Sequence, residues 1–296
     1  MSSDLELVQS QGTDVSLTFL VTGGNAGIGK ATVEGLAKIG ARVIVGGRSE
    51  EKTKAVIAEI SARYKNAELH FFKLDLADLK SVKNSVEGLL ASGLFSSRPL
   101  DVLINNAGLA GASGLTADGF ELTIGTNHLG PYYLTKLLLP EISRAKQGRI
   151  VNVASGAHLR VTKIDWDLLR ESAANTAAAL NRYGISKLMN VLHAKELARQ
   201  LAGTSTTTYS LHPGVVASEI WREVPIIIRW PLKLFMVSNE EGAKTSLYCA
   251  TDPGLSNASG RYYDNMRETA CNPLAEDQDL ARRLFEWSDE AISKSV

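Results

Sequence analysis

Cysteine is almost missing from this chain: Cys249 and Cys271 are the only two in 296 residues. Two thiols are too few for a disulfide framework, and their spacing is not that of a metal-ligand pair. The five histidines are scattered and form no HExxH pair or similar cluster, so no metal site is expected. An excess of one charge is also lacking. Lys plus Arg number 32 and Asp plus Glu number 32, with no basic block, which argues against nucleic acid as a partner. Long apolar runs are absent. The nearest approach, VPIIIRWPLKLFMV at 224–237, is interrupted by Arg229, Pro231 and Lys233 and is too short to cross a bilayer. MSSDLELVQSQGTD is polar and acidic, so residues 1–14 are expected to be a tail, not a signal or transit peptide. The default expectation is a soluble protein in a reducing, cytoplasmic setting.

Hydrophobic residues at 44% and charged residues at 22% are ordinary for a globular chain, and no repeat or low-complexity linker interrupts it. SLTFLV (16–21) reads as a strand, followed by the helical GKATVEGLAKIG, which closes at Gly40 as a C-cap glycine. RVIVGG (42–47) is strand-like, and SEEKTKAVIAEISARY is helical with Ser49 as N-cap. ELHFFKLD (68–75), DVLINNAG, GRIVNVAS, TTTYSLHPG and SGRYYD (259–264) supply further strands, with helical stretches such as LADLKSVKNSVEGLLAS between them. Near-continuous apolar strands alternating with helices predict an α/β fold: one Rossmann-type, doubly wound parallel sheet of about seven strands, with helices on both faces. A single domain over 15–296 is expected, ending in a helix around 278–293.

TGGNAGIG (22–29) lies between the first strand and the first helix, with Gly23, Gly27 and Gly29 in GxxxGxG spacing. A phosphate there would meet backbone N–H groups and the positive end of the helix dipole; a glycine-rich turn without ligand has the same composition. At the end of the second strand, where NAD-binding folds place a carboxylate, the chain reads Gly46-Gly47-Arg48. Nothing there repels a 2′-phosphate, and Arg48 offers a planar fork to hold one, so NADP(H) is expected over NAD(H). In RYGISK (182–187), Tyr183 and Lys187 fall at i and i+4 on one helix face. An aromatic anchor beside a solvated lysine has the same spacing. A cation one turn from a tyrosine, however, would favour the phenolate over a phenol whose ordinary pKa is about 10.

TGGNAGIG, Asp75, NNAG (105–108), Asn127, Ser155, YGISK and HPGVV (212–216) follow one another in this order. Together they resemble the short-chain dehydrogenase/reductase family, from about Ser16 to the end of the seventh strand. The resemblance implies that Tyr183 is the general acid in reduction and the general base in oxidation. Lys187 would lower the tyrosine's pKa and bond the nicotinamide ribose. Ser155 would hydrogen-bond the carbonyl oxygen, and Asn127 would hold a proton-relaying water. On the cofactor side it implies Gly23, Asn25, Gly27, Ile28 and Gly29 in the loop, and Asp75 and Leu76 at the adenine. Asn105, Ala107 and Gly108 would line the adenine-ribose side. Pro213, Gly214 and Val216 would lie at the carboxamide, and Ser218 stands where the family often has threonine. The loop carries Ala26 where NADP-preferring members often have a basic residue, which places most of the 2′-phosphate recognition on Arg48, with Asn25 as a helper. The segment SGAHLRVTKIDWDLL, and HPGVVASEI with EEGAKTSLYCATDP after it, are similar to the retinol dehydrogenase and WW-domain oxidoreductase subgroup.

Residues 218–237, with Trp221, Trp230, Ile226, Ile227, Ile228 and Phe235, are expected to form a lid over an apolar or aromatic small molecule. The expected activity is NADP(H)-dependent interconversion of a carbonyl and an alcohol, with a retinoid as one option. The alternatives are a cofactor-binding regulator without turnover and a scaffold that touches a membrane through 224–237. Homo-oligomerisation stays open.

Overall fold

The computed structural model describes residues 17–214 and 237–296; the expected tail, Val216, Ser218 and nearly all of the expected lid lie outside them. One sheet organises the chain. Its strands are β1 (Thr18–Thr22), β2 (Arg42–Gly47), β3 (Glu68–Lys73), β4 (Val102–Asn105), β5 (Arg149–Val153), β6 (Thr207–His212) and β7 (Arg261–Asp264), in the order 3-2-1-4-5-6-7. All of these pair in parallel. A strand missed in the sequence, β8 (Arg267–Glu268), adds antiparallel to β7. Asn265 and Met266 between them both have positive φ, 49° and 59°, the geometry of a two-residue hairpin turn. Two residues are too few to show a period, which is why β8 left no trace in the pattern.

Alternation along each strand fills two cores. Leu20, Ile44, Leu103 and Ile150 point to one face. Phe19, Val21, Val43, Val45, Val102, Ile104, Val151 and Val153 point to the other. The first face is covered by α3 (Leu79–Ala91) and α4 (Gly130–Ile142). The second is covered by α1 (Gly27–Lys38), by Ile60 of α2 (Glu50–Arg63) and by α6 (Asn239–Thr251). The long helix α5 (Thr176–Gln200) and the C-terminal α7 (Gln278–Ser293) build a third apolar cluster beside them.

Local chemistry sets the helix ends where the sequence predicts. Gly40 has φ +76°; its N–H donates to Ala37 O, and Ala41 N donates to Leu36 O, closing α1 with paired backbone bonds that need a left-handed residue. Ser49 caps α2 by accepting from Lys52 N. The approach to α4 is less regular. Leu122–Ile124 begins a helix that widens into a π turn over Gly125–Leu129 before α4 proper. Such turns are rare and tend to occur at functional sites, and this one carries Asn127.

Gly130 lies where α4 crosses the loop after β3. A Cβ there would sit 2.4 Å from Leu76 O and 2.8 Å from Leu76 Cβ. Gly130→Ala is expected to cost about 1–3 kcal/mol, the range for overpacked sites. It should appear as a lower urea midpoint at unchanged slope; an unchanged midpoint would mean that the Leu76 loop yields.

Candidate active site

The strand order reverses between β1 and β4, which is where open α/β sheets form a ligand crevice at the carboxyl ends of the strands. The glycine loop forms one wall. Gly23 and Gly27 have φ of +66° and +53°, and a Cβ on Gly29 would fall 2.2 Å from Gly23 O. The loop can therefore close against α1 only with glycine at these places. Ala26, the N-cap, offers no side-chain acceptor, so the first-turn N–H groups of α1 are left for a ligand. Asn25 and Ile28 are half-buried on the same loop.

Across the crevice, Thr22 Oγ1 accepts from Asn106 N and Ala107 N, each at 3.0 Å, and Asn106 Nδ2 donates to Thr22 O at 2.8 Å. These bonds tie the end of β4 to the glycine loop. Thr22 and Asn106 stand inside the TGG and NNAG motifs, yet the sequence reading assigned them nothing. The Asn105 side chain turns the other way, donating to Thr135 Oγ1 (3.0 Å) and Asn152 Oδ1 (2.9 Å). Asp75, just after β3, accepts from Ala77 N at 3.0 Å, with buried Leu76 between them. Arg48 is exposed immediately after β2. Lys73, also exposed, pairs in register with Gly47 and brings a second cation to that strand end. Only the register reveals it. Pro213 and Gly214 follow β6, Gly214 with φ +84°.

The remaining candidates meet between β5 and α5. Residues 182–194 of α5 are all buried, so Lys187 is not the solvated lysine of the alternative reading. Gly184 allows the close approach: a Cβ there would meet Ala157 O at 3.2 Å, on the turn after Ser155. The Ser155 hydroxyl lies on the Tyr183 side of this contact, where it favours the ionised form of the phenol. Lys187, 2% exposed, donates from Nζ to Val153 O at 2.8 Å and lies 5.7 Å from the centroid of the Tyr183 ring. Asn127 Oδ1 accepts from Leu109 N, and its Nδ2 donates to Leu109 O (each 2.9 Å) and to Ser186 Oγ (3.0 Å). Both amide hydrogens are thus engaged, which leaves a water only acceptor positions at this residue. A Cβ on Gly108 would lie 3.2 Å from Asn127 Oδ1 and 3.4 Å from Lys187 Nζ, so this glycine keeps the space beside the ammonium open.

Burial governs the charges. It raises the Tyr183 phenol above its ordinary value, with the Ser155 hydrogen bond opposing it. It also lowers the Lys187 ammonium to about 7. The sequence spacing suggested that lysine would pull the phenol down; in the folded chain desolvation is the larger effect, because it penalises the charged form of both groups.

The sequence profile described as "short chain dehydrogenase" matches residues 17–164. Human Retinol dehydrogenase 12 is 42% identical over 277 residues, covering 92% of this chain and 85% of the relative. Dehydrogenase/reductase SDR family member 13 of Bos taurus is 42% identical, covering 92% and 72% respectively. Among solved structures, an uncharacterized protein from Mycobacterium Paratuberculosis superposes with a TM-score of 0.74 at 29% identity, covering 95% of this chain and 96% of that one. Profile, relatives and sheet order agree: the chain belongs to the short-chain dehydrogenase/reductase family, as an oxidoreductase of its retinol dehydrogenase-like subgroup with a nicotinamide cofactor.

Proposed function

We propose that this chain interconverts a carbonyl compound and an alcohol, with NADP(H) as the nicotinamide cofactor. The observation that carries the reading is the buried Tyr183 phenol on the helix face that meets the turn after Ser155, with the buried Lys187 ammonium one helical turn away and bonded to Val153 O. A pure cofactor binder has no need of that group. The crevice fits the cofactor: glycines keep the loop closed on α1, and the first-turn N–H groups have no side-chain cap. Gly23, Asn25, Gly27, Ile28 and Gly29 would hold the diphosphate, with Asp75 and Leu76 at the adenine and Ala107 and Gly108 beside its ribose. Asn105 would act there through its backbone. Pro213 and Gly214, with Val216 and Ser218 beyond the described residues, would flank the nicotinamide, and Arg48 the 2′-phosphate. When bound, the cofactor supplies or accepts the hydride.

The chain's own residues handle the proton. Ser155 donates a hydrogen bond to the carbonyl oxygen, and Tyr183 passes its phenolic proton to that oxygen as negative charge develops. In oxidation the same oxygen of Tyr183 takes the proton back. A phenol held above its ordinary pKa stays protonated through neutral pH, which suits reduction. Oxidation should therefore speed up toward alkaline pH. Lys187 would stabilise the phenolate and bond the nicotinamide ribose. Asn127 would hold Leu109 in place and present its free acceptor positions to a relay water. The apolar composition of 218–237 and the 42% identity to a retinol dehydrogenase support an apolar substrate, retinoids included. Among the described residues no helix is long and apolar enough to cross a membrane. The free thiols of Cys249 and Cys271 suit the reducing, cytoplasmic location that belongs to the same proposal.

Tyr183→Phe is expected to abolish carbonyl reduction while NADPH still binds, since general acid catalysis is worth about 10²–10⁴-fold. Turnover within about tenfold of wild type, only ~1.4 kcal/mol of barrier, would remove the proton-donor role. Arg48→Ala should weaken NADPH by roughly tenfold to a hundredfold and leave NADH nearly unchanged, matching about 1.5–3 kcal/mol for a charge-assisted bond. Titration of cofactor fluorescence measures both, and equal losses would return Arg48 to the solvated surface. Lys187→Met should lose activity and cofactor affinity yet melt at a higher temperature near neutral pH. The sign follows from linkage. The folded pKa, about 7, lies below the unfolded value of 10.5, so wild-type stability rises with pH across that window and a neutral side chain removes the slope. A melting temperature with the same pH dependence in both proteins would show that the buried charge is not the cause.

A further inference from the structure

Behind Ser155 lies a second set of bonds that the proton chemistry does not use. Ser155 Oγ accepts from Ala157 N at 3.2 Å, which leaves the hydroxyl hydrogen free to point into the site. The Ser155 carbonyl, on the opposite side of the residue, accepts twice from His158: from its backbone N–H at 3.1 Å and from ring Nδ1 at 2.6 Å. The ring can donate there only if Nδ1 carries the proton. The backbone N–H of Asn272, 114 residues further on, meets that requirement by donating to His158 Nε2 at 3.2 Å. An N–H donor at Nε2 makes that nitrogen the acceptor and assigns the hydrogen to Nδ1.

The Asn272 side chain completes the attachment. Its Nδ2 donates to His158 O and Val161 O, each at 2.8 Å, and its Oδ1 accepts from Leu274 N at 2.9 Å. Both residues are buried, and the Tyr262 ring packs on the imidazole with centroids 4.8 Å apart. Backbone bonds alone would close the short helical turn Gly156–Arg160. The imidazole adds a side-chain donor to the one carbonyl that belongs to the hydroxyl-bearing residue.

We infer that His158 is a positioning residue for Ser155, with its tautomer set by the backbone of Asn272, so that the segment before Pro273 fixes the angle at which the serine hydroxyl meets the reacting oxygen. This rests on reading Ser155 as the hydrogen-bond donor to that oxygen. The physical reason is the steep dependence on placement: a preorganised donor acts only where charge develops, and an error of about 1 Å can cost about 10²-fold.

Three variants test it. His158→Phe keeps the ring volume and the packing on Tyr262 but removes both polar contacts. His158→Asn loses ring volume and the contact with Asn272 yet keeps an N–H donor near the Nδ1 position. Ser155→Ala is the reference. Steady-state carbonyl reduction, the NADPH dissociation constant and the melting temperature are measured for each. His158→Phe should lower kcat by about tenfold, a weakened and not an absent donor given ~10²–10³ for complete loss, with the NADPH dissociation constant unchanged. His158→Asn should recover most of that kcat despite being the worse packing substitute. A purely structural histidine predicts the reverse order, with phenylalanine tolerated better than asparagine, and that order would overturn the proposal. So would a kcat for His158→Phe within twofold of wild type while Ser155→Ala is inactive. An active Ser155→Ala would instead overturn the reading of Ser155 itself and the positioning role with it.

Discussion

An ammonium group inside a protein needs a partner and space, and Lys187 imposes both demands on its surroundings. Its one described hydrogen bond goes to Val153 O, the last carbonyl of β5, so α5 must lie against the end of that strand. Gly184 lets the helix approach the turn after Ser155, and Gly108 keeps a side chain from crowding the ammonium. Removing a cation from water costs several kcal/mol unless something compensates. The Lys187 pKa, brought down to about 7, records that cost. Burial thus favours a neutral phenol and an easily discharged lysine side by side.

The crevice follows a second constraint, the absence of side chains. Gly29 cannot carry a Cβ without meeting Gly23 O, and Gly23 itself needs a left-handed backbone. Thr22 then bonds the loop to the end of β4 through two backbone N–H groups. The cradle is held by its own backbone before any ligand arrives. Preorganisation of this kind lowers the ordering cost of binding.

How much of this was legible depended on the range of the interaction responsible. Gly40 and Ser49 were read correctly because a helix end is decided by bonds within four or five residues. The seven parallel strands were readable because each is an apolar run bounded by turn residues. β8 was too short to show a pattern, and the π turn around Asn127 involves no residue type that marks it. The burial of α5 on every side was also hidden, since Lys187, Asn190 and His193 read as polar positions until the sheet and α7 close over them.

Taken alone, the sequence determined the alternation of parallel strands and helices, the glycine loop, the tyrosine–lysine spacing and the arginine after β2, because each is a local pattern in backbone freedom or side-chain type. Tertiary structure alone decided that Asn105 faces Thr135 and Asn152, that Lys73 joins Arg48 at one strand end, and that Asn272 reaches His158. It also decided which way the Tyr183 and Lys187 pKa values move. Spacing along a helix tells which groups are neighbours, whereas the free energy of a charge depends on how much water the rest of the fold excludes.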